Sequence, residues 1–355
     1  MICYGIVKEI IDALDFQSLN QFLNEHMRLK MDIAQLIEEI SINGLDALNK
    51  ENITQFFFDS MFYEISIVRP IFIKILVFSV LFSVLHQLLS SKKTYISDIG
   101  FLVIYTTLMV LLMQTFLFVK DVAMEGMNNI LSFLQVLIPT YSMTLVFTGN
   151  AITGAMAYEL VFFFIYFIEF IMKYCLGPII HVFVLVLFLN HLFEEDKLSK
   201  LAEFIESIVG LILKISFSAV IGLGVVQSFL APMQDRLANN VMLSGMSAIP
   251  GVGGALGSAG EIIFSCGMLV KNSIGVIGLI ILVWITVQPV LKIGCFWIIF
   301  HLLSILLQPI SDRRIVECVS GVARGCNLYL KVIIYSVLLS FILISMVTMA
   351  TSFVF

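Results

Sequence analysis

The residues most able to do chemistry are ionisable groups set inside apolar runs. Glu159, Glu169 and Lys173 fall within the apolar stretch Ala155–Lys173. A charge inside a span costs at least about 2.5 kcal/mol on insertion scales, so such groups face a bundle interior or a wet cavity. Glu169 and Lys173 stand at i,i+4 with the acid first, the favourable order for a helical ion pair. Structural pairing is their expected role, with a proton or ion path as the sharper alternative. Glu261 is the best single candidate for a functional carboxylate, its plainer reading being an acid at the membrane interface. Lys214 and Lys292 are expected to snorkel as well.

Other chemistry is excluded by spacing. His26, His86, His181, His191 and His301 form no ligand pattern, and the six cysteines fall singly without CxxC or Cys/His spacing. No zinc site or disulfide framework is expected. No Gly-Lys-Ser/Thr follows the glycines, and neither Gly-x-Ser-x-Gly nor His-Glu-x-x-His occurs. An intramembrane enzyme would need a nucleophile–base or metal constellation, and none is present. The sequence therefore predicts a non-enzymatic protein without metal or cofactor.

The element that must position Glu261 is Ser244–Ile262, SGMSAIPGVGGALGSAGEI. It holds Pro250 with Gly251, Gly253, Gly254, Gly257 and Gly260, between long apolar segments. It reads as a re-entrant segment, since irregular backbone at membrane depth survives only when buried in protein or lining a wet cavity. Its glycines let another backbone pack close. The alternative is a small-residue helix face kinked at Pro250. A second candidate half-segment is Asn128–Gly149, with Pro139 and Gly149.

Composition fixes the class. Sixty per cent of residues are hydrophobic and thirteen per cent charged, with mean hydropathy +1.04, whereas soluble domains carry about 25% charged residues. Apolar runs of about 18 or more residues imply transmembrane helices. The expected fold is all-α and polytopic, with eight spans at Ile71–Leu89, Ile99–Val119, Ala155–Lys173, Ile179–Phe193, Ile205–Leu230, Lys271–Val290, Leu291–Leu307 and Leu330–Phe355. Gly177-Pro178 and Pro289 are expected to separate neighbouring spans. The net charge of −5 implies no nucleic-acid partner, and the acidic excess lies in the first 64 residues.

Residues 1–67 differ from the rest, alternating charged and apolar positions at helical spacing as short amphipathic helices do. They read as a helical domain, a partner-binding arm or a surface helix. Lys8, Glu9 and Asp12 interrupt any signal-peptide core in Met1–Leu14. Residues 68–127 hold the first two spans. Residues 128–235 and 236–355 repeat one order: a Pro-bearing half-segment, two close spans, a charged linker and a further span. Three full spans per unit would give an inverted repeat, a transporter-like pattern. Placing Asp312, Arg313 and Arg314 in a cytoplasmic partner loop satisfies the positive-inside rule and puts residues 1–67 outside the cytoplasm.

The runs Ala248-IPGVGGALGSAGEI, Met268-LVKNSIGVIG and Leu307-QPISDRRIVECVSG, in that order, resemble the stage III sporulation protein AE family. The likeness extends more loosely over Leu131–Thr148 and the Lys197–Leu201 linker, and so over most of residues 60–355. Glu261 stands where the family more often has Asp. The resemblance implies a multi-pass protein of the mother-cell membrane surrounding the forespore. It further implies work in a secretion or feeding channel with a cytosolic ATPase and ring-forming intermembrane proteins of the same operon. It carries over no catalytic residues. Membrane lipid is a further partner, and a homo-oligomer stays open. The expected role is part of a transport path, with Glu159 and Glu261 lining a conduit. A non-conducting scaffold for the ring proteins and ATPase is the alternative, and a secondary-transporter-like permease a second one.

Overall fold

The computed structural model describes residues 95–147, 152–192, 197–246, 253–311 and 313–350, with a helical run at 68–81 and isolated positions between 19 and 84. Six α-helices follow: α1 (Tyr95–Phe147), α2 (Ile152–Ile171), α3 (Gly177–Leu192), α4 (Ser199–Met246), α5 (Gly253–Leu307) and α6 (Arg313–Ala350). A π turn, Met172–Leu176, joins α2 directly to α3. No strand occurs among the described residues, and five helical units are long and apolar enough to cross a membrane. The chain is an all-α membrane protein.

The helices are longer than the sequence led us to expect, and the reason lies in their buried faces. Ile99–Val119 and Asn128–Gly149 are not two separate segments, because α1 runs unbroken to Phe147. Its buried positions Leu112, Phe116, Val119, Ala123, Met127, Ile130 and Leu134 keep a spacing of three or four through the charged turn at 120–128. One apolar face therefore continues where a loop was expected. Helix α5 likewise passes through Pro289, with Ile285, Ile293 and Phe296 on one buried side. Pro289 is accommodated by its neighbour, since a methyl at Gly126 would lie 3.0 Å from Pro289 Cβ. At Gly177-Pro178 the backbone stays helical, Gly177 having φ −54° and ψ −57°. Proline removes an i→i−4 bond and crowds the carbonyl of Tyr174. The widened π turn absorbs that crowding without reversing the chain.

Cross-helix contacts fix the register. Helix α5 is antiparallel to α1: Phe296 meets Phe118 with ring centroids 5.7 Å apart, and Gly278 faces Leu137. The α2–α3 unit is also antiparallel to α1, with Tyr166 accepting from Gln135 at 2.7 Å and Phe188 O accepting from Tyr105 at 3.1 Å. Helix α6 runs parallel to α1 and packs against every other helix, with its Tyr329 ring 5.7 Å from Phe116. It buries Val332, Ser336, Leu339, Ser340 and Leu343 on one stripe. Helix α4 lies parallel to α6, with Phe217 against Tyr335 at 5.9 Å. Close approach uses small residues, as expected where hydrocarbon supplies no hydrophobic drive. Gly321 faces Leu187, and Gly325 faces both Val184 and Phe116.

Candidate functional site

The polar centre of the bundle is Glu169. It lies on α2, fully buried, where α2 crosses α6. Ser336 Oγ donates to one carboxylate oxygen, and Ser340 Oγ donates to the other at 3.3 Å. The two serines are one helical turn apart, so one stripe of α6 presents both hydroxyls to one carboxylate. Both are themselves buried. A buried polar group must be satisfied in this way or cost several kcal/mol. The arrangement can hold a proton or a polar group out of contact with lipid.

The expected Glu169–Lys173 ion pair is not formed. The π turn begins at Met172, between the two residues, and rotates everything beyond it. Lys173 Nζ turns outward and donates to Asn128 Oδ1 of α1 and, at 3.1 Å, to Tyr174 OH. It also lies 4.4 Å from the Tyr174 ring centroid, a cation–π contact. The remaining sequence candidates do not gather around Glu169. Pro139 is exposed on α1. Glu159 is on α2, while Gly253, Gly254, Gly257, Gly260 and Glu261 lie in the opening turns of α5. The surroundings of those side chains fall outside the described residues, as do Gly149, Pro250, Gly251 and Asp312 entirely. Arg313 and Arg314 open α6, where Arg313 Nε pairs with Glu317 Oε1 at 2.6 Å.

A second polar feature sits toward the end of the bundle where α6 begins. Arg324 of α6 forms an ion pair with Glu206 of α4, and its guanidinium lies 5.3 Å from the Phe183 ring centroid. Beside it is a cavity of about 260 Å³ lined by Asn190, Ser199, Glu203, Glu317, Ser320 and Arg324. Asn190 Oδ1 accepts the Leu198 backbone N–H at 2.7 Å and so ties α3 to the start of α4. No group of three or more metal-ligating side chains occurs among the described residues.

Three structural features lie outside the sequence candidates. Ser336 and Ser340 carry no motif, and only a partner acid gives them meaning. Gly321-x-x-x-Gly325 is a small-residue packing signal that could have been found by its spacing. The exposed face of α1 was legible too. Thr106, Thr107, Gln114, Asp121, Glu125, Asn128 and Gln135 all fall on its outer stripe, which is far more polar than lipid contact favours.

Comparison with known proteins gives one consistent answer. The family model for stage III sporulation protein AE matches residues 31–351. The chain is 23% identical over 288 residues to "Stage III sporulation protein AE" of Bacillus subtilis (strain 168), covering 80% of this chain and 72% of that one. No solved structure matches.

Proposed function

Since the chain belongs to the stage III sporulation protein AE family, whose role is in sporulation, we propose that it is the membrane platform of the mother cell–forespore channel complex. On this reading its partners are the other stage III proteins, including a cytosolic ATPase and ring-forming intermembrane proteins, and its membrane is the one around the forespore. The observation that carries it is height. The candidate spans of α1 and α5, Tyr105–Tyr141 and Leu269–Leu307, are 37 and 39 residues long, roughly 55 and 58 Å of helix. Hydrocarbon is about 30 Å thick. Even a tilt of 40°, the upper end for membrane helices, leaves about 42 Å of α1 to cover. Part of the exposed apolar surface, including Leu302, Ile305 and Leu306 of α5, must therefore meet protein rather than lipid.

The decisive experiment replaces Leu302 and Ile305 by glutamate in a sporulating host. The platform role predicts a protein still in the membrane that no longer co-isolates with the other stage III proteins. Unchanged co-isolation would overturn it. A transport path is the second reading, favoured by the enclosed Glu169 and by the polar outer face of α1. Under it, Glu169→Gln abolishes sporulation while the complex still assembles. The platform role predicts sporulation retained.

A further inference from the structure

Each of the five apolar helical units carries one lysine within a band running from Lys120 to the height of Asn128 on α1, about 12 Å of helix. Lys120 is on α1. Lys292 of α5 lies 5.9 Å from the ring of Phe118, two residues before Lys120. Lys173, in the π turn, bonds Asn128 of α1. On α6, Tyr329 donates to Gly177 O at 3.0 Å and Ile333 faces Gly126, which brackets Lys331 at this level. The Glu206–Arg324 and Phe217–Tyr335 contacts share one sequence separation, so Lys214 of α4 stands beside Lys331.

The level divides the bundle into unlike halves. The level also holds two exposed acids of α1, Asp121, which pairs with Lys120 at 3.6 Å, and Glu125. Beyond them toward Phe147, Ile152 and Ala350, the only charged residues with described side chains are Glu169 and Lys271, both buried. Toward Leu192 and Leu307, charged groups lie at the surface, among them Lys200, Glu203, Arg313 and Arg324. The first half also has the right thickness: α2 contributes 20 residues, about 30 Å of helix and one hydrocarbon core.

We propose that the five-lysine level is the headgroup plane of one leaflet and binds anionic phospholipid, with hydrocarbon covering only the half beyond it. The strongest point is the face of α6 left open between α4 and α5, which scarcely meet. There Lys214 and Lys331 are exposed with no hydrogen-bond or ion-pair partner among the described residues. Beyond them the groove is apolar, walled by the exposed Ile221, Val225, Ile334 and Leu338. Paired ammonium groups over an apolar groove match a lipid phosphate and its acyl chains. A charge of this kind adjoining hydrocarbon is otherwise costly, and basic residues at a leaflet surface attract anionic lipid.

The test uses the full-length protein in detergent, titrated with phosphatidylglycerol, phosphatidylcholine or inorganic phosphate. Phosphatidylglycerol is expected to be retained over phosphatidylcholine. The K214Q/K331Q variant should lose roughly thirtyfold of that preference and the K214R/K331R variant should keep it. Equal retention by the glutamine variant, or displacement of the lipid by millimolar inorganic phosphate, would overturn the site. A second measurement reads the plane itself. Tryptophan is placed singly at Phe341 and at Ile298 in vesicles holding lipids brominated on the acyl chain. Quenching of Phe341→Trp alone is expected, and equal quenching of Ile298→Trp would overturn the plane.

Discussion

The tightest helix crossing offers a quantitative test. Gly325 lies on α6 where Val184 of α3 and Phe116 of α1 converge, and a methyl group there would overlap Val184 Cγ2 and sit 2.8 Å from Phe116 Cε2. Neither neighbour can yield easily. Both are fully buried, and the Phe116 ring is held between Tyr329 at 5.7 Å and His181 at 6.2 Å. Gly325→Ala therefore overpacks a closed site, at a cost of about 1–3 kcal/mol. The matched control is Gly210→Ala on α4, where nothing lies within 4 Å. Helix propensity alone should stabilise that variant by up to about 1 kcal/mol. Thermal unfolding of the two purified variants in the same detergent measures the difference. The predicted order is Gly210→Ala above the parent and Gly325→Ala clearly below it. A Gly325→Ala protein as stable as Gly210→Ala would refute the α1–α3–α6 packing.

Three further outcomes follow from the polar contacts. Replacing both Ser336 and Ser340 by alanine leaves the Glu169 carboxyl buried without its donors, and should lower stability by about 1–3 kcal/mol in the same unfolding assay. Glu169→Gln keeps the shape and one acceptor oxygen and should cost less than that double change, so an equal loss would deny the serines their role. Arg324→Ala should cost no more than about 1 kcal/mol, because its ion pair with Glu206 is half exposed. A much larger loss would place that pair in hydrocarbon.

The sequence disclosed the class and the family but misjudged where helices end. Lys120, Asp121 and Glu125 read as a loop between spans because a charge run usually marks water. The apolar spacing from Leu112 to Leu134 passed straight through them, and following one face of period 3.6 would have recovered the single helix. Local sequence reads Pro289 and Gly177-Pro178 as breaks. A glycine on another helix, or a π turn, resolved each of them, and such tertiary compensation leaves no local trace. Glu169 was recognised as special from its setting alone. Its partners Ser336 and Ser340 lie more than 160 residues away, and no spacing rule reaches that far. The Glu169–Lys173 pair failed because it assumed regular α geometry in the turn that departs from it.

The central claim is that the chain does not turn back at 120–128, so that the bundle stands taller than a bilayer. Spin labels on cysteines introduced at Val103 and Gln135, on an otherwise cysteine-free chain in vesicles, measure this by electron–electron dipolar coupling. Both sites are exposed on α1. One continuous helix places their backbones about 48 Å apart. A distance below about 25 Å would mean two segments folded back side by side, at ordinary helix-packing separation, and would contradict the account.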